Sequence, residues 1–449
     1  MKRMEQTHSK GKIVSLGIQH MLAMYGGAVI VPLIVGGAVG LNGAELALLV
    51  SIDLVACGIA TLLQAWKNRF FGIGLPIVMG CTFTAVSPMI IIGKAYGMPG
   101  ICGAILIAGL VVLALSTFFG KIRSLFPPVV VGSVVMIIGI TLIPVAINNL
   151  GGGVGVKDFG SPQNLTLGFG VLALIIIMNR FFKGFMQTIS ILLSIVIGTI
   201  AAAFMGKVDF SSVGQSGWFS LIAPFSFGAP TFHLDAIIAM SIVGIVSMIE
   251  TTGVYLALSE ICGKKIDEKA MQHGYRAEGL AILLGGFFNA FPYTTFSQNV
   301  GLVQMTRVKS RSVTVVCGVA LVALGLIPKI GAITVLIPNA VIGGATLAMF
   351  GMVIASGVRM LGKVDFSRQE NLLIVACAVG IGMGVTVQPA LFAHFPSLIQ
   401  ILTNNGIVAG SLTALILNLI LNAGRRTSAE PIDAASKQMI AETSAAKEV

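Results

Sequence analysis

The sequence predicts an all-α protein that crosses a membrane many times. Of its 449 residues, 56% are hydrophobic and 10% are charged, whereas soluble proteins carry about 25% charged residues. Glycine is abundant, with 55 residues, and small residues suit closely packed membrane helices. An internal repeat, described below, predicts how the segments are arranged.

Runs of roughly 20 apolar residues predict the membrane segments. We identify fourteen: 14–36, 44–66, 75–92, 100–119, 126–147, 167–183, 186–206, 234–258, 275–291, 294–306, 311–328, 337–358, 370–386 and 404–423. This even number places both termini on one side, which we assign to the cytoplasm.

The charge distribution supports this topology. Of the 28 lysines and arginines, only four fall in the predicted outside regions: Lys94, Lys157, Lys207 and Lys329. This bias is the positive-inside rule. The formal net charge of +11 therefore indicates membrane topology and does not point to a nucleic-acid partner.

The polar connection 207–233 divides the chain into two halves. The predicted organisation has five parts: a cytoplasmic N-terminus (1–13), a first repeat (14–206), the extracellular connection (207–233), a second repeat (234–423) and a disordered cytoplasmic tail (424–449).

Similar motifs recur in the two halves. FPPVVVGS and IPNAVIGG align Pro127 with Pro338, and GLPIVMG and AFPYTTF align Pro76 with Pro292. Seven crossings per half force opposite orientations, which predicts an inverted-topology repeat of the kind found in secondary transporters. Chance similarity among apolar segments is the alternative.

The third and tenth segments are interrupted by proline and glycine at matching places, around Pro76 and Pro292. Non-helical backbone at membrane depth is tolerated where protein or a water-filled cavity covers it. The runs GCTFT and TTFSQ favour extended structure, so each segment should begin as a short extended piece and continue as a half-helix. Matching interrupted segments point to a transport site.

Glu250 and Gln298 are the strongest candidates for that site. Glu250 has no basic residue in its segment, and an acidic side chain at the bilayer centre costs about 2.5–3.5 kcal/mol on insertion scales. It is a candidate substrate acceptor and proton carrier; a permanently protonated packing residue is the alternative. A buried Gln298 carboxamide without a partner would cost roughly 1–3 kcal/mol, so a partner is expected.

Three further polar residues have open roles. His20 could orient Glu250 or relay a proton, or make a structural hydrogen bond to the backbone of another helix. Glu278 is either functional or explained by Arg276 or by solvation, and Asp53 is either functional or a local polar contact.

The sequence does not predict enzymatic chemistry. The six cysteines form no CxxC pair and are expected to be buried small hydrophobic residues. No HExxH motif and no Ser–His–Asp arrangement is evident, so we expect no catalytic residue, no metal and no cofactor.

Several of these motifs resemble a known family, the nucleobase–ascorbate transporters. QNVGLVQMTR at 298–307 is similar to the family signature. Gln19–His20 resembles its first-segment Gln-His pair, and Glu250 with Thr252–Gly253 resembles its eighth-segment motif. The resemblance covers residues 14–423 and is strongest to bacterial xanthine and uric acid permeases.

The resemblance implies a core domain of segments 1–4 and 8–11, a gate domain of segments 5–7 and 12–14, and a homodimer. Carried over residue by residue, it implies that Glu250, Gln298, Phe83 and Ser297 bind substrate, and that His20, Asn299 and Glu278 support the site or proton coupling. Many relatives carry Asp or His where this chain has Val254, so a proton route through that side chain is not assumed.

The predicted function is proton-coupled import of an oxidised purine, xanthine or uric acid, across the cell membrane by alternating access. The partners are then the purine and the lipid bilayer, and the proton gradient replaces any cofactor. The Gln298 carboxamide offers one donor and one acceptor to a purine edge. The resemblance implies a preference for an oxidised purine, because uracil permeases of the family tend to have Glu at this position. The alternatives are a uracil or other nucleobase permease, an anion transporter of the same fold, or a channel.

Overall fold

The computed structural model describes residues 9–118, 126–392, 394–395 and 405–422, and these residues are mostly helical. Most of the predicted cytoplasmic N-terminus and all of the predicted tail lie outside the described residues. The domain boundaries predicted from the sequence remain predictions.

The first half of the chain contains eight helices and one strand in its described residues. They are α1 (Lys10–Ala28), α2 (Ile30–Ala38), α3 (Gly43–Ala65), β1 (Met79–Cys81), α4 (Val86–Ser116), α5 (Pro128–Leu150), α6 (Pro162–Phe181), α7 (Phe185–Thr188) and α8 (Ser190–Phe204). A 3-10 turn, Phe83–Ala85, connects β1 to α4.

The connection and the second half contain the remaining elements. They are α9 (Ser211–Gln215), α10 (Leu234–Cys262), α11 (Glu268–Phe287), β2 (Tyr293–Thr295), α12 (Gln298–Thr306), α13 (Arg311–Gly325), α14 (Pro328–Val335), α15 (Asn339–Leu361), α16 (Gln369–Val387) and α17 (Gly406–Leu421). A second 3-10 turn, Pro389–Phe392, follows α16.

Local sequence signals set several helix ends. α3 begins with a capping box in which the Asn42 side chain accepts from the backbone N–H of Glu45 and the Glu45 side chain accepts from that of Asn42. α4 is broken at Gly97, whose φ is 68°, two residues before Pro99. α4 therefore consists of two helices, and the break falls between the predicted third and fourth segments.

The two strands pair with each other antiparallel, with Met79 opposite Thr295 and Cys81 opposite Tyr293. They confirm the extended pieces predicted for the two interrupted segments. The packing of the Phe296 ring on β1 requires glycine at position 80, because a Cβ there would lie 2.5 Å from that ring.

The helices form two packed groups. The strand bundle comprises α1–α4, β1, β2 and α10–α14, in which α3 packs on α13 and α4 packs on α10 and α11. The second bundle comprises α5, α6, α8 and α15–α17, in which α5 packs on α15 and α16 packs on α17. The cleft described below lies where the two bundles meet.

Within the described residues, eight helices are long and apolar enough to cross a membrane. The pair Arg311–Gly325 and Pro328–Val335, which is bent by 81°, would make a ninth span. The protein is therefore a multi-pass membrane protein, and helix length by itself does not establish fourteen segments.

Candidate functional site

The paired strands place the starts of two helices beside one open cleft. The cleft collects all four residues predicted to bind substrate: Phe83, Glu250, Ser297 and Gln298. Helices α5 and α15 close its other side with Val135, Ile138 and Val353. The cleft is thus built from both bundles.

Glu250 lies on α10, half-buried in the wall of the cleft. Within the described residues, its carboxyl group has no hydrogen bond to protein and no ion pair. An acidic group in this setting is expected to find its partner in a bound molecule or a proton.

Gln298 is the first residue of α12 and is also half-buried. Its Oε1 receives one long contact of 3.5 Å from the exposed Ser297 hydroxyl. In the described structure, its amide nitrogen donates to no protein acceptor. A carboxamide with its donors unused at the wall of a cleft can pair with a ligand that carries a hydrogen-bond acceptor.

Phe83 contributes a half-buried ring to the cleft. The ring packs edge-on against Phe350, with centroids 5.8 Å apart, and at a tilt against Phe296, with centroids 6.4 Å apart. These neighbours hold the ring in place, so that it can contact a planar ligand.

Asn299 tethers α12 to α1. Its Nδ2 donates to the backbone oxygen of His20 at 2.9 Å and lies 3.1 Å from His20 Nδ1. His20 is buried and, within the described residues, makes no hydrogen bond to Glu250. His20 thus contacts a side chain of α12, and its role in orienting Glu250 or relaying a proton stays a prediction.

Glu278 is fully buried in α11, which contradicts the explanation by Arg276 or by solvation. Arg276 lies two positions away, on a different face of the helix, and contacts Thr117 at an exposed site. Glu278 instead accepts from the Thr251 hydroxyl at 3.0 Å, and its second oxygen, Oε2, has no partner in the described structure.

Thr251 connects Glu278 to the cleft. Its hydroxyl lies 3.0 Å from that of Thr294 and accepts from that of Thr295 at 3.2 Å. Thr294 and Thr295 belong to β2 and line the cleft. Our sequence reasoning did not identify this hydroxyl network; the available signal was the position of Thr251 directly after Glu250.

Asp53 is buried and accepts from the Tyr293 hydroxyl at 2.9 Å and from the Cys57 thiol at 3.7 Å. The contact with Tyr293 is not local, because it joins α3 to β2. Asp53 thus anchors the strand that leads into the cleft.

Comparison with known proteins identifies the family. Residues 11–391 match the model of a permease family. The chain is 60% identical to the xanthine permease of Bacillus subtilis (strain 168), over 92% of this chain and 94% of that protein. It is 59% identical to the nucleobase transporter PlUacP of Paenibacillus larvae, over 94% and 97%, and 56% identical to the uric acid permease PucK of Bacillus subtilis, over 95% and 99%.

Solved structures share the fold. The transmembrane domain of the cyanobacterial bicarbonate transporter BicA matches with a TM-score of 0.65 at 15% identity, covering 92% of this chain and 98% of that one. SLC26A9 matches with a TM-score of 0.61 at 11% identity, covering 93% and 67%. At these identities the likeness concerns the fold. The long matches to named permeases carry the family assignment: the chain belongs to this permease family and is a membrane transporter, not an enzyme.

Proposed function

We propose that this chain imports an oxidised purine, xanthine or uric acid or both, across the cell membrane and that a proton gradient drives the import. The relatives named as xanthine and uric acid permeases support this substrate class. The proposal depends on one observation: the Glu250 carboxyl group and the Gln298 amide nitrogen face the same cleft, and no described protein group bonds to either of them.

The chemistry of an oxidised purine fits these groups. Its edge alternates ring N–H donors with carbonyl acceptors, and the Gln298 carboxamide offers one donor and one acceptor for a bidentate pair. The Glu250 carboxylate would accept from a ring N–H, and a charged acceptor makes that hydrogen bond stronger. Phe83 would contact the ring face, and Ser297 would contribute its backbone.

The helix ends support the inverted repeat. α5 and α15 each begin after a proline, Pro127 or Pro338, and each spans 23 residues. Their contacts are reciprocal: a Cβ at Gly132 would lie 2.8 Å from the side chain of Leu361, and one at Gly343 would lie 2.0 Å from the backbone nitrogen of Leu150. This is the contact pattern expected when two equivalent helices cross about a pseudo-two-fold axis.

Other packing pairs follow the same symmetry. The described helices account for fourteen segments on three conditions: α1 with α2, α7 with α8 and α13 with α14 each form one segment, α4 supplies the third and fourth, and the five-residue α9 is not counted. Packing of α3 on α13 joins segments 2 and 11, and packing of α4 on α11 joins segments 4 and 9. An inverted repeat relates segment 2 to segment 9 and segment 4 to segment 11. It therefore converts the packed pair of segments 2 and 11 into the packed pair of segments 9 and 4.

The grouping of the helices into two bundles supports the core and gate domains that the family resemblance implies. We propose that the strand bundle carries the bound base and moves against the second bundle, exposing the cleft to either side in turn. The positive-inside bias supports cytoplasmic termini. A homodimer is proposed on the resemblance.

An anion transporter of the same fold is the main competing function. The fold neighbours include proteins named as bicarbonate and anion transporters. The carboxyl group of Glu250 in the cleft argues against an inorganic anion, because such an anion has no ring N–H groups for the carboxylate to accept from and, within the described residues, no cation pairs with Glu250 to offset the repulsion. A uracil or other nucleobase permease is the second alternative.

Uptake of radiolabelled xanthine and urate into cells that lack purine transport tests the proposal. We expect concentrative uptake that a protonophore abolishes, with xanthine and urate competing better than guanine or uracil. Accumulation unaffected by the protonophore would contradict proton coupling. Uptake of uracil or of an inorganic anion in place of purines would favour the corresponding alternative.

The same uptake assay tests the proposed binding roles of Glu250 and Gln298. Glu250→Gln and Gln298→Ala should abolish concentrative uptake, because each removes a group that pairs with the base. Glu260→Gln, at an exposed position on the same helix, and Gln187→Ala, also exposed, are the matched controls and should transport normally. Full accumulation by the Glu250 and Gln298 variants, at equal amounts of protein in the membrane, would remove these residues from the site.

A further inference from the structure

The connection between the two halves, residues 207–233, exposes large apolar side chains. Its charged residues, Lys207 and Asp209, both lie at its start. Five large apolar residues that follow them are each more than half exposed: Phe210, Trp218, Phe219, Leu221 and Phe232. Apolar surface is unfavourable in water, and an exposed apolar cluster of this kind marks an interaction site.

Three of these residues form an exposed row: Trp218, Phe219 and Leu221. The backbone N–H of Ser220, inside the row, donates to the carbonyl oxygen of Leu326 at 3.1 Å. Leu326 directly follows α13, at the 81° bend that separates α13 from α14. The row is therefore fixed to the strand bundle through its backbone, while its side chains point away from the protein.

Lys329 adds a positive charge to the row. Its Nζ lies over the Trp218 ring, 4.3 Å from the ring centroid, where the ring attracts a cation. Within the described residues, Lys329 forms no ion pair. Its charge is thus available to an anionic group, such as a phosphate oxygen, beside an exposed indole ring.

The connection begins and ends at helices of the membrane-spanning bundles. α8 ends at Phe204 and α10 begins at Leu234, and both of these side chains are also more than half exposed. α10 is long and apolar enough to cross a membrane. The exposed row therefore continues the apolar surface that the helices present to lipid.

A second copy of the chain is the competing occupant of this surface. Lysine is depleted at protein–protein interfaces, whereas tryptophan is enriched at the level of the lipid headgroups. A tryptophan that carries a lysine on its ring face, next to phenylalanine and leucine, suits a boundary with phosphates on one side and acyl chains on the other. The composition of the row thus favours lipid.

We infer that Trp218, Phe219 and Leu221 form a lipid anchor that inserts into the headgroup region of a phospholipid leaflet, with Lys329 beside the lipid phosphates. With the termini in the cytoplasm, as proposed above, this is the outer leaflet. The anchor holds the bend between α13 and α14 at the membrane surface. The inference does not depend on which base is transported.

Tryptophan fluorescence tests the anchor directly, because Trp66 and Trp218 are the two tryptophans of the sequence. Trp66→Phe leaves Trp218 as the reporter. The protein would be placed in vesicles of phosphatidylethanolamine and phosphatidylglycerol with bromine on the acyl chains. Bromine near the glycerol should quench Trp218 at least about twofold more than bromine at the chain end, because an interfacial anchor reaches only about 5–10 Å into the bilayer. External iodide should quench weakly.

Lys157→Trp supplies the matched control, in a protein that also carries Trp66→Phe and Trp218→Phe. Lys157 is exposed and lies next to Asp158, which forms an ion pair with Lys207, a setting that suits water. The introduced indole should be quenched by external iodide and not by brominated lipid.

A double substitution, Phe219→Ser with Leu221→Ser, tests the rest of the row. In the Trp66→Phe background, it should reduce the lipid quenching of Trp218 by about half or more, because the neighbours no longer favour insertion. None of the substituted residues lines the cleft. An unchanged thermal unfolding midpoint in detergent shows that the variant is folded.

Three results would overturn the lipid anchor. Strong quenching of Trp218 by iodide without quenching by lipid would place the row in water. Protection from both quenchers would show that a second copy of the chain covers it. Lipid quenching unchanged by the double substitution would show that Phe219 and Leu221 do not insert.

Discussion

Glu250 and Gln298 occupy the same cleft although 48 positions separate their numbers in the chain. Their residue types could be read as a site from the sequence, since an intramembrane acid and a carboxamide beside a broken helix are both costly without partners. Both residues line one cleft, and their roles in binding stay predictions.

The contacts of His20, Glu278 and Asp53 could not be predicted. Each depends on which side chain another segment presents: Asn299 for His20, Thr251 for Glu278 and Tyr293 for Asp53. Sequence proximity suggested Arg276 for Glu278, but the helix directs these side chains to different faces. Non-local hydrogen bonds of this kind leave no periodic signal in the sequence.

A substitution at Asn299 tests whether its contacts with His20 stabilise the protein. Asn299→Ala removes two buried contacts with His20, and we expect a loss of about 1–3 kcal/mol in stability. The thermal unfolding midpoint of the purified protein would fall, and base binding would weaken because α12 carries Gln298.

His20→Asn is the companion variant for this test. It preserves the backbone oxygen of His20 and offers a side-chain oxygen in place of Nδ1, so most of the stability should remain. An unfolding midpoint for Asn299→Ala equal to that of the wild type would show that the tether contributes nothing.

The two short strands were predictable as extended pieces because proline, glycine and β-branched residues cluster in both interrupted segments. Their antiparallel pairing was not predicted, because nothing in the two local sequences specifies register. The break inside α4 at Gly97 agrees with the predicted end of the third segment, where Pro99 follows closely.

A substitution at Gly80 tests the packing around the two short strands. A Cβ at this position would lie 2.5 Å from the Phe296 ring and 3.1 Å from Met24. Gly80→Ala should therefore displace Phe296, which lines the cleft, with a cost of about 1–3 kcal/mol from overpacking. We expect a lower unfolding midpoint and weaker binding of the base.

Gly380 provides the control for this substitution. It lies inside α16, and a Cβ there would meet no atom within 4 Å. Gly380→Ala should be neutral or stabilising by up to about 1 kcal/mol, because alanine favours the helix. Equal thermal unfolding midpoints for Gly80→Ala and Gly380→Ala would contradict the argument that the Phe296 ring leaves no room for a side chain at position 80.

At the scale of the whole molecule, composition and the positive-inside bias predicted a multi-pass membrane protein, and the structure agrees. The number of segments is harder to fix, because α8 and α17 are short and α13 and α14 form a bent pair. The division into two bundles came from the family resemblance. It could not be derived from hydropathy, which does not encode which helices pack together.

Cross-linking tests the proposed movement between bundles. In a variant with the half-buried Cys377 changed to Ser, cysteines at Val131 and Val246 would be joined by a bifunctional thiol reagent across the space between α5 and α10 that both residues line. Transport should stop, because these residues lie on different bundles, and should return when a cleavable linker is cut.

A cross-link within one bundle is the control. Cysteines at Gly132 and Leu361, which are in contact between α5 and α15, should form a disulfide that leaves most transport intact. Inhibition by this disulfide equal to that from the cross-link between bundles would contradict rigid movement of the two bundles.

The central claim is that the cleft has hydrogen-bonding groups that a planar purine completes. The most direct measurement is an experimental structure of the protein with bound xanthine or urate. We predict a flat ligand against Phe83, paired by two hydrogen bonds to the Gln298 carboxamide and by one or more to Glu250. A base bound elsewhere, or Glu250 and Gln298 paired with other protein groups while the base is bound, would contradict the claim.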